Sequence, residues 1–126
     1  MTPAELWRER LRRSLLSARK SRDATGVTAI RSALSAIDNA ETPQPDQTDT
    51  RTGEAIAGAV SGVGSTEMAR RVLSDDEVRV LIRAEIDERL VAADQYSANG
   101  HLDRASELLS QADVLTRLLG QTPEAV

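Results

Sequence analysis

His101 and a few acidic residues are the side chains of this sequence best suited to acid–base or metal chemistry. His101 is the only histidine and the chain has no cysteine, so a typical zinc site cannot be assembled around it. It follows Gly100, and we expect it to be a solvent-facing turn or capping residue. Glu85 and Glu88 are three residues apart, a spacing that places two carboxylates on one face of a helix. No Glu-x-x-His repeat accompanies them, which favours ordinary helical ion pairs, such as Glu85 with Arg89.

The run Gly62-Val63-Gly64-Ser65-Thr66 has the glycines of a phosphate-binding loop but not its chemistry. No lysine precedes the hydroxyl residues, and no apolar strand precedes the glycines. The sequence also contains no nucleophile elbow around a serine. We therefore expect no catalytic residue, no metal, no cofactor and no enzymatic activity of the chain on its own.

Arginines on the first helix and just beyond it are the remaining candidates for binding. Arginine can hold a phosphate through two parallel hydrogen bonds, which makes an arginine cluster a candidate RNA contact. An isoelectric point near 5.0 and an aromatic content of 2% argue against RNA binding, because aromatic side chains supply base stacking. Protein–protein contact or self-association is the leading alternative, with weak tRNA contact second. The candidate phosphate-binding residues are Arg8, Arg12, Arg19, Arg22 and Arg31.

The net charge of −4 hides a gradient along the chain. Residues 1–41 carry a net charge of +3, residues 42–73 carry −1, and residues 74–126 carry −6. Solvated faces of amphipathic helices explain most of this pattern, and the same gradient would orient the molecule near a charged partner.

Composition predicts a small all-α protein. Leu, Ala, Val and Ile supply the apolar residues, while the 126 residues include no Phe, one Trp and one Tyr, so strand-forming aromatics are nearly absent. A chain of this length forms one domain, which we place at residues 1–126. No signal-peptide pattern and no membrane-spanning apolar run is present, so we expect a cytoplasmic protein.

Apolar residues recurring at steps of three and four predict four helices. Capping boxes at Thr2–Glu5 and Ser74–Glu77 open the first and third, and Gly100 separates the third from the fourth. Trp7, the largest side chain, is expected to anchor the first helix in the core. The first two helices end near Lys20 and Glu41, and the last two span Leu73–Asn99 and Leu102–Leu119. The predicted apolar faces include Leu6, Trp7, Leu11 and Leu15 in the first helix, Leu90 and Tyr96 in the third, and Leu102 and Leu109 in the fourth.

The stretch 42–73 breaks the helical pattern with two prolines and several glycines. It predicts a long loop that joins two helical hairpins, with Pro43–Thr52 poorly ordered. The expected fold is thus two hairpins whose crossing angle the sequence leaves open.

Several segments taken together resemble the GatB/YqeY-like family. One is Ala18–Asp23 followed by Val27–Glu41, with an Ile-Arg step and an Asn-Ala-Glu ending. The others are Leu73–Val78, Arg83–Arg89, Ala93–Tyr96 with Asn99-Gly100, and a final Pro123-Glu124. They occur in the family's order over most of the chain, although His101 stands where family members usually have arginine.

The resemblance implies an accessory role in glutamine-dependent tRNA amidation, which is carbon–nitrogen ligation with glutamine as amido donor. Family members commonly continue past the Pro-Glu pair into a second helical domain linked to tRNA handling, whereas this sequence ends at Val126. The loop at 42–73 is also longer than is usual in the family. We therefore expect a non-catalytic binding or accessory module that matches the family's N-terminal domain only.

Overall fold

Four α-helices make up the part of the chain that the structure describes, residues 1–43 and 69–121 of a computed structural model. They are α1 (Pro3–Lys20), α2 (Ala24–Glu41), α3 (Asp75–Ala98) and α4 (Leu102–Gly120). No strand occurs among these residues, which confirms the predicted all-α class. Three features of the sequence lie outside the described residues. They are the glycine-rich run Gly62–Thr66, most of the segment Pro43–Thr52 that is predicted to be poorly ordered, and the terminal Pro123-Glu124.

The helices begin at the caps that the sequence predicts. The Thr2 hydroxyl accepts the Glu5 amide while the Glu5 carboxylate accepts the Thr2 amide, and Ser74 and Glu77 repeat the arrangement at α3. Leu73 differs from its prediction because it precedes the helix, where it is 2% exposed. One residue before the cap is the position from which an apolar side chain packs onto the first turn.

A short joint with one residue at positive φ connects the two helices of each hairpin. Arg22, between α1 and α2, has a φ of +58°, and Gly100, between α3 and α4, has a φ of +83°. The Gly100 conformation suits a residue without a Cβ, and it ends α3 as predicted. The most extensive helix contact is α3 with α4, followed by α1 with α2, and α2 lies against both α3 and α4. The fold is therefore two hairpins packed through α2.

The core is aliphatic apart from Trp7, which anchors α1 in it as predicted. Trp7 is 2% exposed and lies in the main cluster of buried residues. A smaller cluster at the Gly100 end of the second hairpin consists of Ala93, Ala105 and Leu108. The largest fully buried side chains of the described residues are Leu11, Ile37, Leu73, Val78, Ile82 and Leu115.

Five residues predicted to face the core are exposed instead. Their positions satisfy the helical spacing, but the packed helices cover a narrower stripe than the sequence pattern spans. The two in α4 are the most exposed, at 65% for Leu102 and 50% for Leu109. The five residues are Leu6, Leu90, Tyr96, Leu102 and Leu109.

None of the described helices is both long enough and apolar enough to cross a lipid bilayer.

Candidate interaction surfaces

An open cleft of about 850 Å³ lies where the first turns of α1 approach the end of α2. The capping box at the start of α1 lines one side of the cleft, and residues 70–73, which lead into α3, line another. Basic and acidic groups both line the cleft: Arg8, Arg12, Arg70 and Arg71 with Glu5, Glu9, Asp38 and Glu41. Because the charges are mixed, the cleft has no excess of either sign to attract an anion or a cation from a distance.

Arg8 is held by two carboxylates of α2. Its Nη2 donates to Glu41 Oε1 at 2.6 Å and to Asp38 Oδ1 at 2.9 Å, and its side chain is only 15% exposed. Burial disfavours the charged guanidinium, but the hydrogen bonds to Glu41 and Asp38 outweigh it and raise the pKa of Arg8 above its ordinary value. Because both carboxylates belong to α2 and Arg8 is largely buried, Arg8 acts as a link between α1 and α2 and is poorly placed to bind a phosphate.

The same carboxylate fixes the chain that leads into α3. Arg70 Nη2 donates to Glu41 Oε1 at 2.9 Å, and the Arg71 amide donates to the Glu41 carbonyl oxygen at 2.8 Å. Arg71 also donates a side-chain hydrogen bond to the Ala40 carbonyl. The end of α2 is therefore joined both to α1 and to the segment before α3.

Trp7 links α1 directly to the start of α3. Its indole Nε1 donates to Asp75 Oδ1 at 2.7 Å, and its ring lies 4.3 Å from the Arg10 guanidinium carbon and 5.1 Å from that of Arg79. Hydrogen bonds from Arg79 and from Trp7, the former having the larger effect, lower the pKa of Asp75 below its ordinary value. Asp75 stands in the first turn of α3, where the helix dipole also favours a negative charge.

The five arginines predicted as phosphate contacts do not form one surface. Arg8 and Arg12 line the cleft, whereas Arg31 lines a separate depression beside Glu85. Arg19 and Arg22 are exposed near the joint between α1 and α2. Of the five, only Arg8 forms an ion pair within the described residues.

Glu85 forms the helical ion pair that the sequence predicts, and His101 lies at the start of α4 as expected for a solvent-facing turn or capping residue. Glu85 pairs with Arg89 at 2.9 Å, as predicted, and it lines a different depression from Glu88. His101 is exposed at the cap position of α4, makes no side-chain cap hydrogen bond and packs edge-on against Tyr96. No group of three acidic, histidine or cysteine side chains suited to a metal ion occurs in residues 1–43 and 69–121.

Exposed leucines give the second hairpin an apolar outer surface, which we name the hairpin face and define as Leu90, Leu102 and Leu109. Leu102 and Leu109 are seven residues apart and so lie on one side of α4. Arg89 Nε donates to Gln111 Oε1 at 3.0 Å, so Leu90 and Leu109 belong to neighbouring turns of the two helices. The three side chains are 43%, 65% and 50% exposed.

Sequence reasoning missed the residues that hold Arg8, because Asp38 and Glu41 follow it by 30 and 33 residues. A periodic pattern within one helix carries no signal of such a contact. Glu41 is a charged residue that is only 8% exposed, and its burial becomes visible only in the packed structure.

Comparisons of this chain with protein-family models, with curated proteins and with solved structures find no match. The resemblance to the GatB/YqeY-like family therefore remains a prediction from the residues, and the structure defines the chain as a small all-α domain with mixed-charge and apolar surfaces.

Proposed function

We propose that this protein is a non-catalytic helical module that acts by binding another protein through the hairpin face. The observation that carries the proposal is that Leu102 and Leu109 continue the apolar pattern of α4 yet remain exposed. Solvent-facing leucines are common one at a time, but adjacent ones on a single surface are typical of interaction sites. The sequence segments that resemble the N-terminal part of GatB/YqeY-like proteins also support an accessory role.

The absence of cysteine allows a direct test with a single labelled site. A photo-crosslinker attached to Leu109→Cys should form a defined adduct with one protein in an extract of the native cell. The matched control is Ser110→Cys, which is exposed on the same helix about 100° farther round. Adducts that are the same from both positions, or no adduct from position 109, would refute the proposal.

A second variant separates loss of binding from loss of structure. Leu102→Ser with Leu109→Ser should lower the free energy of unfolding by only about 1–2 kcal/mol, since half or more of each side chain is already in water. The partner should nevertheless no longer co-purify with the variant.

The alternative function is an accessory role in glutamine-dependent tRNA amidation with phosphate contact through the first helix. The exposed Arg12, Arg19 and Arg22, which form no ion pair within the described ranges, support it, whereas the paired Arg8 does not. Three phosphate contacts would give a slope of log affinity against log salt of about −2 to −3. Absence of tRNA binding at low salt would remove this alternative.

A further inference from the structure

Two exposed patches on different helices have matching spacing and opposite charge. The basic patch is Leu16 on α1 with cations three and four residues to each side: Arg12, Arg13, Arg19 and Lys20. The acidic patch is Val91 on α3 with Asp87, Glu88 and Asp94 at the equivalent spacings, and Gln95 at the fourth. Leu16 is 54% exposed and Val91 is 59% exposed, and all of the flanking residues are exposed as well.

Ion pairs among residues 1–43 and 69–121 do not account for these charges. Arg13 makes an exposed pair with Glu9 at 3.9 Å, and the other charged members of both patches form no ion pair within the described chain. Two arginines of α3 lie near the acidic patch in sequence. Arg89 pairs with Glu85 instead, at 2.9 Å. Arg83, one turn before Asp87, makes no ion pair in that part of the chain. Asp94 lies toward the end of α3, where the helix dipole disfavours a negative charge and where no basic residue stands in the last turn.

We infer that the basic patch of one molecule binds the acidic patch of a second copy of this chain. Two packed helices approach to about 8–10 Å, which would place Leu16 against Val91 at the centre of the contact. The flanking charges lie about 5–6 Å along each axis from that centre, so cations would meet anions on both sides. An apolar centre with a charged rim is the usual anatomy of a protein interface.

The choice of a second copy follows from charge complementarity within one sequence. Both patches belong to the same chain and both are exposed, so they do not meet inside one molecule. A two-fold axis would use both patches of both copies, while repeated one-way contacts would build a ring or a longer assembly. Each patch spans only about two turns of one helix. The area that it can bury is therefore well below the roughly 800 Å² per partner of a standard interface. The assembly should therefore be reversible and sensitive to salt.

Paired charge reversals test the inference on the full-length protein. Sedimentation equilibrium of the native protein should show self-association that weakens about tenfold or more when NaCl rises from about 50 mM to about 500 mM. Arg12→Glu with Arg19→Glu, and separately Asp87→Arg with Asp94→Arg, should each abolish it. An equimolar mixture of the two variants should associate again, because the first keeps the native acidic patch and the second keeps the native basic patch.

The control is Arg31→Glu, an exposed reversal outside both patches, which should associate like the native protein. Circular dichroism establishes that every variant is folded. A monomer at low salt, association that survives either reversal, or a mixture that fails to associate would each overturn the inference. The variants retain Leu102 and Leu109, so crosslinking at the hairpin face is scored independently, and failure of either proposal leaves the other intact.

Discussion

Replacing Glu41 with glutamine tests whether the cleft is a structural junction. Glutamine keeps the shape of the side chain and one acceptor oxygen, but it removes the charge that faces Arg8 and Arg70. A hydrogen bond to a charged group contributes about 1.5–3 kcal/mol, against about 0.5–1.5 kcal/mol for a neutral one. Arg70 is 61% exposed, so its bond is screened by water and contributes little, whereas Arg8 is 15% exposed. We expect Glu41→Gln to lower the free energy of unfolding by about 1–1.5 kcal/mol.

Urea unfolding followed by circular dichroism measures this change directly. The midpoint should fall while the slope with urea stays constant, because the same surface is exposed on unfolding. In thermal unfolding the equivalent loss is about 3–9 °C for a domain of this size. The matched control is Glu9→Gln, whose carboxylate is 54% exposed and 3.9 Å from an arginine that is 74% exposed. A Glu41→Gln variant as stable as the Glu9→Gln variant would refute the reasoning.

Two further expectations concern the helix ends and pH. Gly100→Ala should lower the melting temperature, since an alanine at a φ of +83° costs about 1–2 kcal/mol. The matched control is Gly120→Ala, at the end of α4 with open space around it. That substitution should be neutral or stabilising. Because the folded-state pKa of Asp75 is lowered, its contribution to stability is present above its ordinary pKa of 3.8 and is lost as pH falls through the folded value. Asp75→Asn should therefore be less stable than the native protein near neutral pH, with the gap closing under acid, and Trp7 fluorescence in urea titrations at several pH values would measure it; a gap independent of pH would contradict this assignment.

Local signals were enough to predict the four helices. Capping boxes, the glycine at position 100 and the polar joint near Asp23 act within a few residues of the boundaries that they set. The identity of the buried residues was harder to predict, because apolar residues in α4 occupy more than one side of the helix. Whether Leu108 or Leu109 is covered depends on where α2 and α3 lie, which no pattern within α4 contains.

The interaction surfaces were only partly predictable for the same reason. The basic character of α1 is visible in the sequence, but the sequestration of Arg8 depends on residues of α2 that follow it by 30 or more positions. The charges around Val91 were visible as acidic residues of a helix. Their significance emerged only once Val91 was found on the solvent side of α3.

The backbone hydrogen bond between Arg71 and Glu41 also bears on how the chain tolerates change. It joins the two ends of the connection that contains residues 44–68. Side-chain hydrogen bonds from Arg70 and Arg71 to the end of α2 hold the same two ends together. The entropic cost of closing a loop rises only slowly with its length, by about 0.6 kcal/mol for each doubling. A flexible insertion between positions 43 and 69 should therefore leave the four helices assembled.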